Sequence, residues 1–392
     1  MNFFKSFLAS LMGTFIAMGL VALFFFMGIA AIATSLNFEQ SKGTWIKENS
    51  VLGLNLNTMV TDRSPNFNPL EGLSDFDSGM MGMDEIIGSI KKAKQDDKIK
   101  GIKLQSGFIA SGWAQAREIR NALKEFKTSG KFIYAYGDYM SQKGYYVSSV
   151  ADSIFMNPMG MMQLKGLSSE VLYYEDFQNQ YGVKMEVIRH GKYKSAVEPY
   201  LQDHMSEENR IQIQSLLNAV WETLRDEVAQ SRGLEPATLD TLADDLVVTD
   251  AEEALAQGII DGLVYEDDFE DKIKVAMEVD PKEDLKVVDS DKINIQIQEY
   301  DNEISDRIAI VYAQGPILNT KGSADIIGKE AINKAFQEIL ESDKIKAVVL
   351  RVDSPGGDAL TSEIILNASR TLKGKKPLVV SMGNVAASGG YY

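Results

Sequence analysis

The tetrapeptide Asp97-Lys98-Ile99-Lys100 recurs as Asp343-Lys344-Ile345-Lys346, and it begins a repeat that decides the fold. From there, 97–146 matches 343–392 without a gap, at a constant offset of 246 residues, as far as a shared Gly-Tyr-Tyr. Repeats in solenoid proteins recur every 20–50 residues. A period as long as this one instead predicts a duplicated domain, with a first copy at 97–146 and a second copy at 343–392.

Alternating strands and helices are predicted around both copies. In the first, strands at 99–104 and 132–136 alternate with helices at 84–94, 113–126 and 141–150. In the second, strands at 308–312, 347–352 and 378–381 alternate with helices at 329–340, 361–372 and from Ala386 onward. This alternation is typical of a parallel sheet with crossover helices. We therefore predict an α/β fold made of tandem units.

The predicted domains follow the repeat. They are an N-terminal anchor and stalk at 1–50, a first unit at 51–288, an acidic linker at 289–306 and a second unit at 307–392. A long helix is predicted at 206–231, between the two copies. By the offset of the repeat, the second unit would continue for about 140 residues past Tyr392. We therefore expect the core of the second unit to be incomplete in this chain.

The N-terminal segment is predicted to be a membrane helix. Residues 6–38 contain no Asp, Glu, Lys or Arg, and about 20 apolar residues suffice to cross a bilayer. A cleaved signal peptide is the alternative, because Ala31-Ile32-Ala33 has the form of a cleavage site, but the apolar run exceeds the 7–15 residues usual in signal peptides. Lys5, before the span, mildly favours a cytoplasmic N-terminus with the bulk of the chain outside.

Composition argues against several kinds of site. The net charge of −16 repels phosphate backbones, so we expect no nucleic-acid partner. The chain has no cysteine, which removes thiol catalysis, disulfides and cysteine-rich zinc sites together. Its two histidines, His190 and His204, lack the spacing of metal ligands, and a Ser-His-Asp triad would have to recruit one of them. We expect neither a metal nor a cofactor.

The two copies differ where catalytic residues would lie. The second copy carries Ala386-Ala387-Ser388-Gly389-Gly390, and Gln142 of the first copy stands where Ser388 stands. Ser388 follows a predicted strand and begins a predicted helix, whose unpaired N–H groups and positive dipole end suit an oxyanion. The small Gly389 would let a substrate backbone approach. Ser388 is therefore a candidate nucleophile.

A glycine-rich turn, Asp353-Ser354-Pro355-Gly356-Gly357, follows the neighbouring strand. It lies at the carboxyl edge of the predicted sheet, where ligands bind in open α/β folds. A glycine amide there, beside a serine on the next turn, gives the arrangement for acyl transfer. Each motif is also typical of an ordinary helix start or a type II turn, and on the residues alone both interpretations stay open.

At these motifs the chain resembles the signal peptide peptidase A (protease IV) family, in its long, duplicated bacterial form. The resemblance rests on 351–357, on 381–392 and on 193–200, which reads Tyr-Lys-Ser-Ala-Val-Glu-Pro-Tyr. It extends over nearly all the chain beyond the anchor. The fold that it implies is that of Clp proteases and crotonases.

The resemblance also implies the role of each site residue. Ser388 would be the nucleophile, Lys194 the general base, and Gly356 and Gly357 would supply an oxyanion amide. The residues alone would not choose Lys194, because Lys192 has an equal claim, although Ser-Lys pairs are a recognised variant of the serine triad. A lysine acts as a base only when it is neutral, and burial favours the neutral form. We therefore expect Lys194 to be buried at the junction of the two units.

The predicted function is a membrane-bound serine endopeptidase that hydrolyses cleaved signal peptides. The resemblance places it in the bacterial inner membrane, as a single-pass protein with its catalytic part on the periplasmic side, and implies a homo-oligomer, a homotetramer. Two alternatives stay open. A crotonase-like acyl-CoA enzyme would share the glycine oxyanion arrangement without needing a serine at 388, and the chain could also be a catalytically inactive fragment or a membrane scaffold.

Overall fold

The computed structural model describes residues 2–40, 46–64, 80–290, 293 and 306–392. The helices are α1 (Asn2–Gln40), α2 (Met83–Gln95), α3 (Trp113–Lys127), α4 (Gln142–Ser148), α5 (Glu175–Tyr181), α6 (Glu207–Arg232), α7 (Pro236–Asp244), α8 (Ala251–Ala256), α9 (Glu266–Ala276), α10 (Lys329–Glu341) and α11 (Ala359–Lys373). The strands are β1 (Ser50–Asn55), β2 (Met59–Thr61), β3 (Met80–Gly82), β4 (Ile99–Gln105), β5 (Phe132–Met140), β6 (Ser153–Met162), β7 (Gly262–Leu263), β8 (Lys286–Asp289), β9 (Arg307–Gln314), β10 (Ile345–Ser354) and β11 (Leu378–Ala386). Two short 3-10 helices span Ser195–Tyr200 and Ser388–Gly390.

Helix α1 stands apart from the packed core. Its stretch Phe3–Gly28 is long and apolar enough to cross a membrane, by length and composition, and none of it is buried within the protein. A helix that is apolar all round needs either a protein core or a lipid environment. Because the stretch Phe3–Gly28 has no protein core around it, a lipid bilayer is the environment that fits it.

The first sheet is six-stranded and wholly parallel, in the order β7-β6-β5-β4-β1-β8. Helix α3 covers one face with an apolar stripe at helical spacing, consisting of Ala116, Ile119, Leu123 and Phe126. Helix α9 covers the other face, where Phe269 stacks on Tyr136 with ring centroids 5.1 Å apart. Burial on both faces is the usual condition of a parallel sheet.

The second sheet, β11-β10-β9, is also parallel, and its elements repeat those of the first. Helices α10 and α11 and strand β11 begin and end 246 residues after α2, α3 and β5, respectively. The repeat seen in the sequence is therefore a repeat of structure, and the predicted α/β fold with parallel sheets and crossover helices is confirmed.

Strand β11 is displaced by one residue relative to β5. In the first sheet Ile102 pairs with Ile133, whereas the equivalent Val348 pairs with Leu378 and not with Val379, which the repeat would predict. Because side chains alternate between faces, a one-residue shift exchanges the faces of a strand. Accordingly Ile133 is fully buried, while Val379 is 61% exposed.

The sequence analysis missed three strands of the first sheet: β6, β8 and the two-residue strand β7. Strand β6 is central in the first sheet, and β8 forms its edge by pairing with β1. Most of the predicted linker at 289–306 lies outside the described residues, and the boundaries of the two units stay predictions.

Candidate active site

Ser388 lies directly after β11, at the first residue of a 3-10 helix, with a φ of +51°. Non-glycine residues rarely adopt this left-handed conformation, which costs on the order of 1–3 kcal/mol and occurs mainly at functional sites. The Ser388 side chain is exposed. Gln142, its counterpart in the first copy, instead begins the ordinary α-helix α4.

Gly356 packs directly against Ser388. Its φ of +89° lies in the region that favours glycine, and a Cβ atom added there would lie 2.7 Å from both the Ser388 Cβ and the Gly389 N. No side chain fits in that space. The two glycine-rich turns predicted from the sequence therefore meet in the folded chain.

Two amide groups beside Ser388 point to an anion-binding role. The Gly356 N–H donates to Ser354 Oγ at 3.1 Å, so this amide is already engaged. The N–H groups of Gly357 and Gly389 make no hydrogen bond within the part of the chain that the structure describes. Gly357 follows Gly356 and Gly389 follows Ser388, so these donors lie within one residue of the contact between the two turns, and backbone donors without an acceptor are what an oxyanion hole requires.

Strand β10 holds the turn that leads to Ser388. The Val385 N–H donates to Asp353 Oδ1 at 2.9 Å, and the Ala387 N–H donates to the Ser354 carbonyl at 3.0 Å. Ser388 and the glycine-rich turn are thus joined by two short hydrogen bonds, one to the Asp353 side chain and one to the Ser354 backbone, beside the bulge between β10 and β11. Movement of either strand would change the position of Ser388.

An apolar cavity of about 210 Å³ opens beside Gly389 and Gly390. Its walls include Ile317, Ile332, Leu350, Ile365, Leu378 and Val380. The last two face the cavity because of the displaced register of β11.

Lys194 does not touch Ser388. It is exposed at the start of the 3-10 helix Ser195–Tyr200, and its carbonyl accepts from Arg189 Nη1 at 3.2 Å. Its amine makes no hydrogen bond or ion pair with the described residues. The expectation that Lys194 is buried is therefore not met within a single chain, and its role as the base stays a prediction. Its neighbour Lys192 forms an ion pair with Glu208 at 3.4 Å.

Glu198 anchors the loop that carries Lys194. Its side chain is fully buried and accepts from Ser206 Oγ at 2.5 Å and Asn209 Nδ2 at 3.0 Å, with Arg189 Nη1 at 3.5 Å. Burial acts to raise the pKa of Glu198, but these donors outweigh it and hold the pKa below its ordinary value. Sequence reasoning missed this anchor, since a glutamate in a polar stretch gives no sign of burial.

The equivalent site in the first copy is closed by side chains. Gln142 donates from Nε2 to the Gly166 carbonyl and accepts from the Lys165 N–H, both at 3.0 Å. The ammonium of Lys143 contacts the carbonyl of Ser111, the counterpart of Gly357. Burial of this ammonium lowers the pKa of Lys143. The first copy therefore has neither the serine nor the open glycine turn.

Comparisons with known proteins identify relatives of this chain. The model of peptidase family S49 matches residues 125–280, a stretch that contains Lys194. The chain is 30% identical over 394 residues to Protease 4 of Haemophilus influenzae, with 96% of this chain and 64% of that protein covered.

Two further relatives extend the comparison. Serine protease SPPA, chloroplastic, of Arabidopsis thaliana is 31% identical, with 88% of this chain and 51% of that protein covered. Protease 4 of Salmonella typhi is 32% identical, with 79% and 51% covered. The chain thus spans between about half and two thirds of the length of these relatives. The resemblance to signal peptide peptidase A is confirmed, and the chain belongs to peptidase family S49.

Proposed function

We propose that this protein is a membrane-anchored serine endopeptidase whose nucleophile is Ser388. One observation carries the proposal: Ser388 stands in a left-handed conformation against Gly356, beside the N–H groups of Gly357 and Gly389, which have no acceptor among the described residues. The names of the relatives, Protease 4 and serine protease, support the same reaction.

The chemistry follows from this geometry. The Ser388 hydroxyl attacks a peptide carbonyl while a base removes its proton, and the carbonyl oxygen becomes an anion that the Gly357 and Gly389 amides bind. Collapse of this intermediate breaks the C–N bond, and the leaving amine takes up the proton. Water then hydrolyses the acyl-enzyme. One oxyanion donor of this kind contributes about 3 kcal/mol to the stability of the transition state.

We assign the base to Lys194, on the family resemblance. The loop that carries it exposes large apolar side chains, including Met185, Ile188 and Tyr193. Apolar surface of this kind is typical of a protein interface. In our proposal the chain forms a homo-oligomer, a tetramer by resemblance, in which this loop is covered and the amine of Lys194 loses its water. Removal of water would favour the neutral amine that a base requires.

The proposed substrate is a signal peptide released in the bilayer. Helix α1 would hold the enzyme in the inner membrane with its catalytic part on the periplasmic side, where an apolar peptide partitions into the same lipid. The anchor thus favours a substrate that lies in the membrane.

The test uses the full-length protein in detergent, with an apolar signal peptide and a fluorophosphonate probe. We expect the probe to label Ser388, and Ser388→Ala and Lys194→Ala to lose both labelling and peptide hydrolysis. Full hydrolysis by either variant would reject the corresponding assignment. Turnover of an acyl-CoA without labelling of Ser388 would instead favour the crotonase-like alternative.

A further inference from the structure

Four polar side chains connect the first unit with the strand that leads to Ser388. We call them the junction cluster: Asp62, Gln115, Arg351 and Asn384. Asp62 follows β2 and Gln115 lies in the first turn of α3, whereas Arg351 and Asn384 belong to β10 and β11. The cluster therefore spans the contact between the first unit and the second sheet.

Asp62 is the centre of the junction cluster. Its side chain is 2% exposed. Its Oδ2 accepts from Arg351 Nε at 2.8 Å, and its Oδ1 accepts from Gln115 Nε2 at 2.9 Å and from Arg351 Nη2 at 3.3 Å. A buried carboxylate is strongly unfavourable without such partners. Asp62 thus fixes two donors, one on each side of the contact.

Those two donors act on the end of β11. Arg351 Nη1 donates to Ser381 Oγ at 3.0 Å and to the Met382 carbonyl at 3.4 Å. The backbone N–H of Gln115 donates to Asn384 Oδ1 at 3.3 Å. The first unit therefore holds the segment that runs, through the contacts to Asp353 and Ser354 described above, into Ser388.

The first copy has no such cluster among the described residues. The counterparts of Arg351 and Asn384 are Gln105 and Asp138. Gln105 donates to Glu266 at 3.1 Å, and Asp138 accepts from the Tyr136 hydroxyl at 2.9 Å, so both serve the first sheet alone. The junction cluster therefore lies beside the copy that has the serine.

We infer that Asp62 is a positioning residue for Ser388, acting through Arg351 and Gln115 on the end of β11. This inference rests on the proposed function. In this inference, residues of the first unit, whose copy of the repeat has no serine at position 142, hold Ser388 of the second copy in its reactive position. Misplacement of a reacting group by about 1 Å lowers a rate by about 100-fold, so loss of this alignment is measurable.

The first experiment replaces Asp62 by Asn in the full-length protein. Asp62→Asn keeps the size of the side chain and an oxygen for Gln115, but it removes the charge that faces Arg351. We expect the rate constant for fluorophosphonate labelling of Ser388 and kcat for peptide hydrolysis to fall by about 10–100-fold, with KM changed by less than about threefold.

The matched control is Asp240→Asn. Asp240 is also a partly buried carboxylate that accepts from an arginine, Arg225 at 3.0 Å, and from a neutral donor, Trp221 Nε1 at 2.8 Å. It lies within the first unit, away from the junction cluster. We expect this variant to label at the wild-type rate. An equal loss in both variants would overturn the inference in favour of a general loss of structure.

A second variant acts on the same contact by steric overlap. A Cβ atom added to Gly112, whose φ of −76° suits alanine, would overlap the amide of Asn384. Gly112→Ala should therefore displace Asn384 and slow labelling even if Asp62→Asn does not fold. Its control is Gly374→Ala, where φ is −67° and the added atom lies 3.5 Å from its nearest neighbour.

The outcomes separate the inference from the proposed function. If the wild-type protein is labelled at Ser388 and both Asp62→Asn and Gly112→Ala react at the wild-type rate, only the inference is overturned. If the wild-type protein is not labelled at all, the proposed function is overturned. The double variant Asp62→Asn with Asn384→Ala tests whether both residues act on Ser388 through the same contact. If its labelling rate is no lower than that of the slower single variant, this would support a shared path.

Discussion

The two copies of the repeat share a backbone and differ in the turn at the end of the strand that leads to position 142 or 388. After β5 the chain enters helix α4 through Gln142, whose side chain binds the backbone at Lys165 and Gly166. After β11 it enters a strained turn at Ser388, beside Gly356. The comparison shows that the same arrangement of strands and helices can be closed by side chains in one copy and left open in the other.

The copies also differ in the burial of equivalent strands, because β5 lies inside the first sheet and β11 lies at the edge of the second. Ile133 of β5 is fully buried in the core of the first unit, whereas its counterpart Val379 is 61% exposed on the displaced strand β11. We therefore expect substitutions to affect stability most in the first unit and reactivity most in the second.

Replacing the two counterpart residues by alanine tests the comparison most strongly. Ser388→Ala should lower peptide hydrolysis by on the order of 10⁴-fold or more, because a nucleophile has no substitute. Gln142→Ala should leave hydrolysis unchanged. The hydrolysis rates of the two variants show which copy of the repeat is active. Comparable losses in both variants would contradict the assignment of the second copy.

The base should give the next largest effect. Lys194→Met should lower kcat by about 10²–10⁴-fold, the usual contribution of a general base. Lys192→Met, which removes an exposed partner of Glu208, should leave kcat within about twofold, since exposed ion pairs contribute little. Steady-state kinetics on both variants measure the difference. If Lys192→Met were the slower of the two, the base would be Lys192.

Gly356→Ala makes the second copy resemble the first, in which Ala110 occupies the same position. The added Cβ would lie 2.7 Å from the Ser388 Cβ, so Ser388 must move. We expect labelling of Ser388 to slow by about 100-fold. The converse variant, Ala110→Gly, should not change the labelling rate. Labelling of Gly356→Ala at the wild-type rate would show that the close packing is not needed.

Substitutions that lower stability should have their larger effect in the first copy, whereas those that lower activity have it in the second. Arg120 is buried in the first unit and donates to the carbonyls of Tyr146 at 3.1 Å and Glu227 at 2.7 Å. Arg120→Leu introduces the residue of the second copy, Leu366, and removes these hydrogen bonds from a buried site. The free energy of unfolding should fall by about 3 kcal/mol, measured in urea.

The matching change in the second copy should have the smallest effect. Leu366 lines the open cavity and is half-buried, so Leu366→Ala should lower the free energy of unfolding by less than about 2 kcal/mol. The same urea titration measures both variants. A larger loss for Leu366→Ala would show that the second core carries more of the stability than its packing indicates.

The repeat predicted the elements well because both copies encode them with the same apolar spacing. Helix α3 was expected at 113–126 and lies at Trp113–Lys127, and strand β4 was expected at 99–104 and lies at Ile99–Gln105. Strand β6 was missed, since Ser153–Met162 mixes Met, Pro and Gly and lies beyond the end of the repeat. Its place in the sheet comes from pairing with β5, which local sequence does not encode.

The candidate site could be predicted only in part. The sequence showed that Ser388 and the glycine turn lie at one edge of the sheet, and the structure brings them into contact. It did not show the conformation of Ser388 or the engagement of the Gly356 amide by Ser354, because both depend on how two turns meet. The junction cluster joins residues 289 apart in the chain, Asp62 and Arg351, and no local pattern reveals such a pair.

The displaced register of β11 has a consequence for the position of Ser388. Moving β11 by one residue into the pairing of its sister would turn Asn384 to the opposite side of the sheet, away from Gln115, and would separate Arg351 from Ser381. Ser388 would retreat by about 3.3 Å, the rise of one strand residue, to the place that Ala387 now occupies. The carboxylate of Asp62, acting through Arg351, thus holds β11 in one of two possible registers, the one that places Ser388 against Gly356.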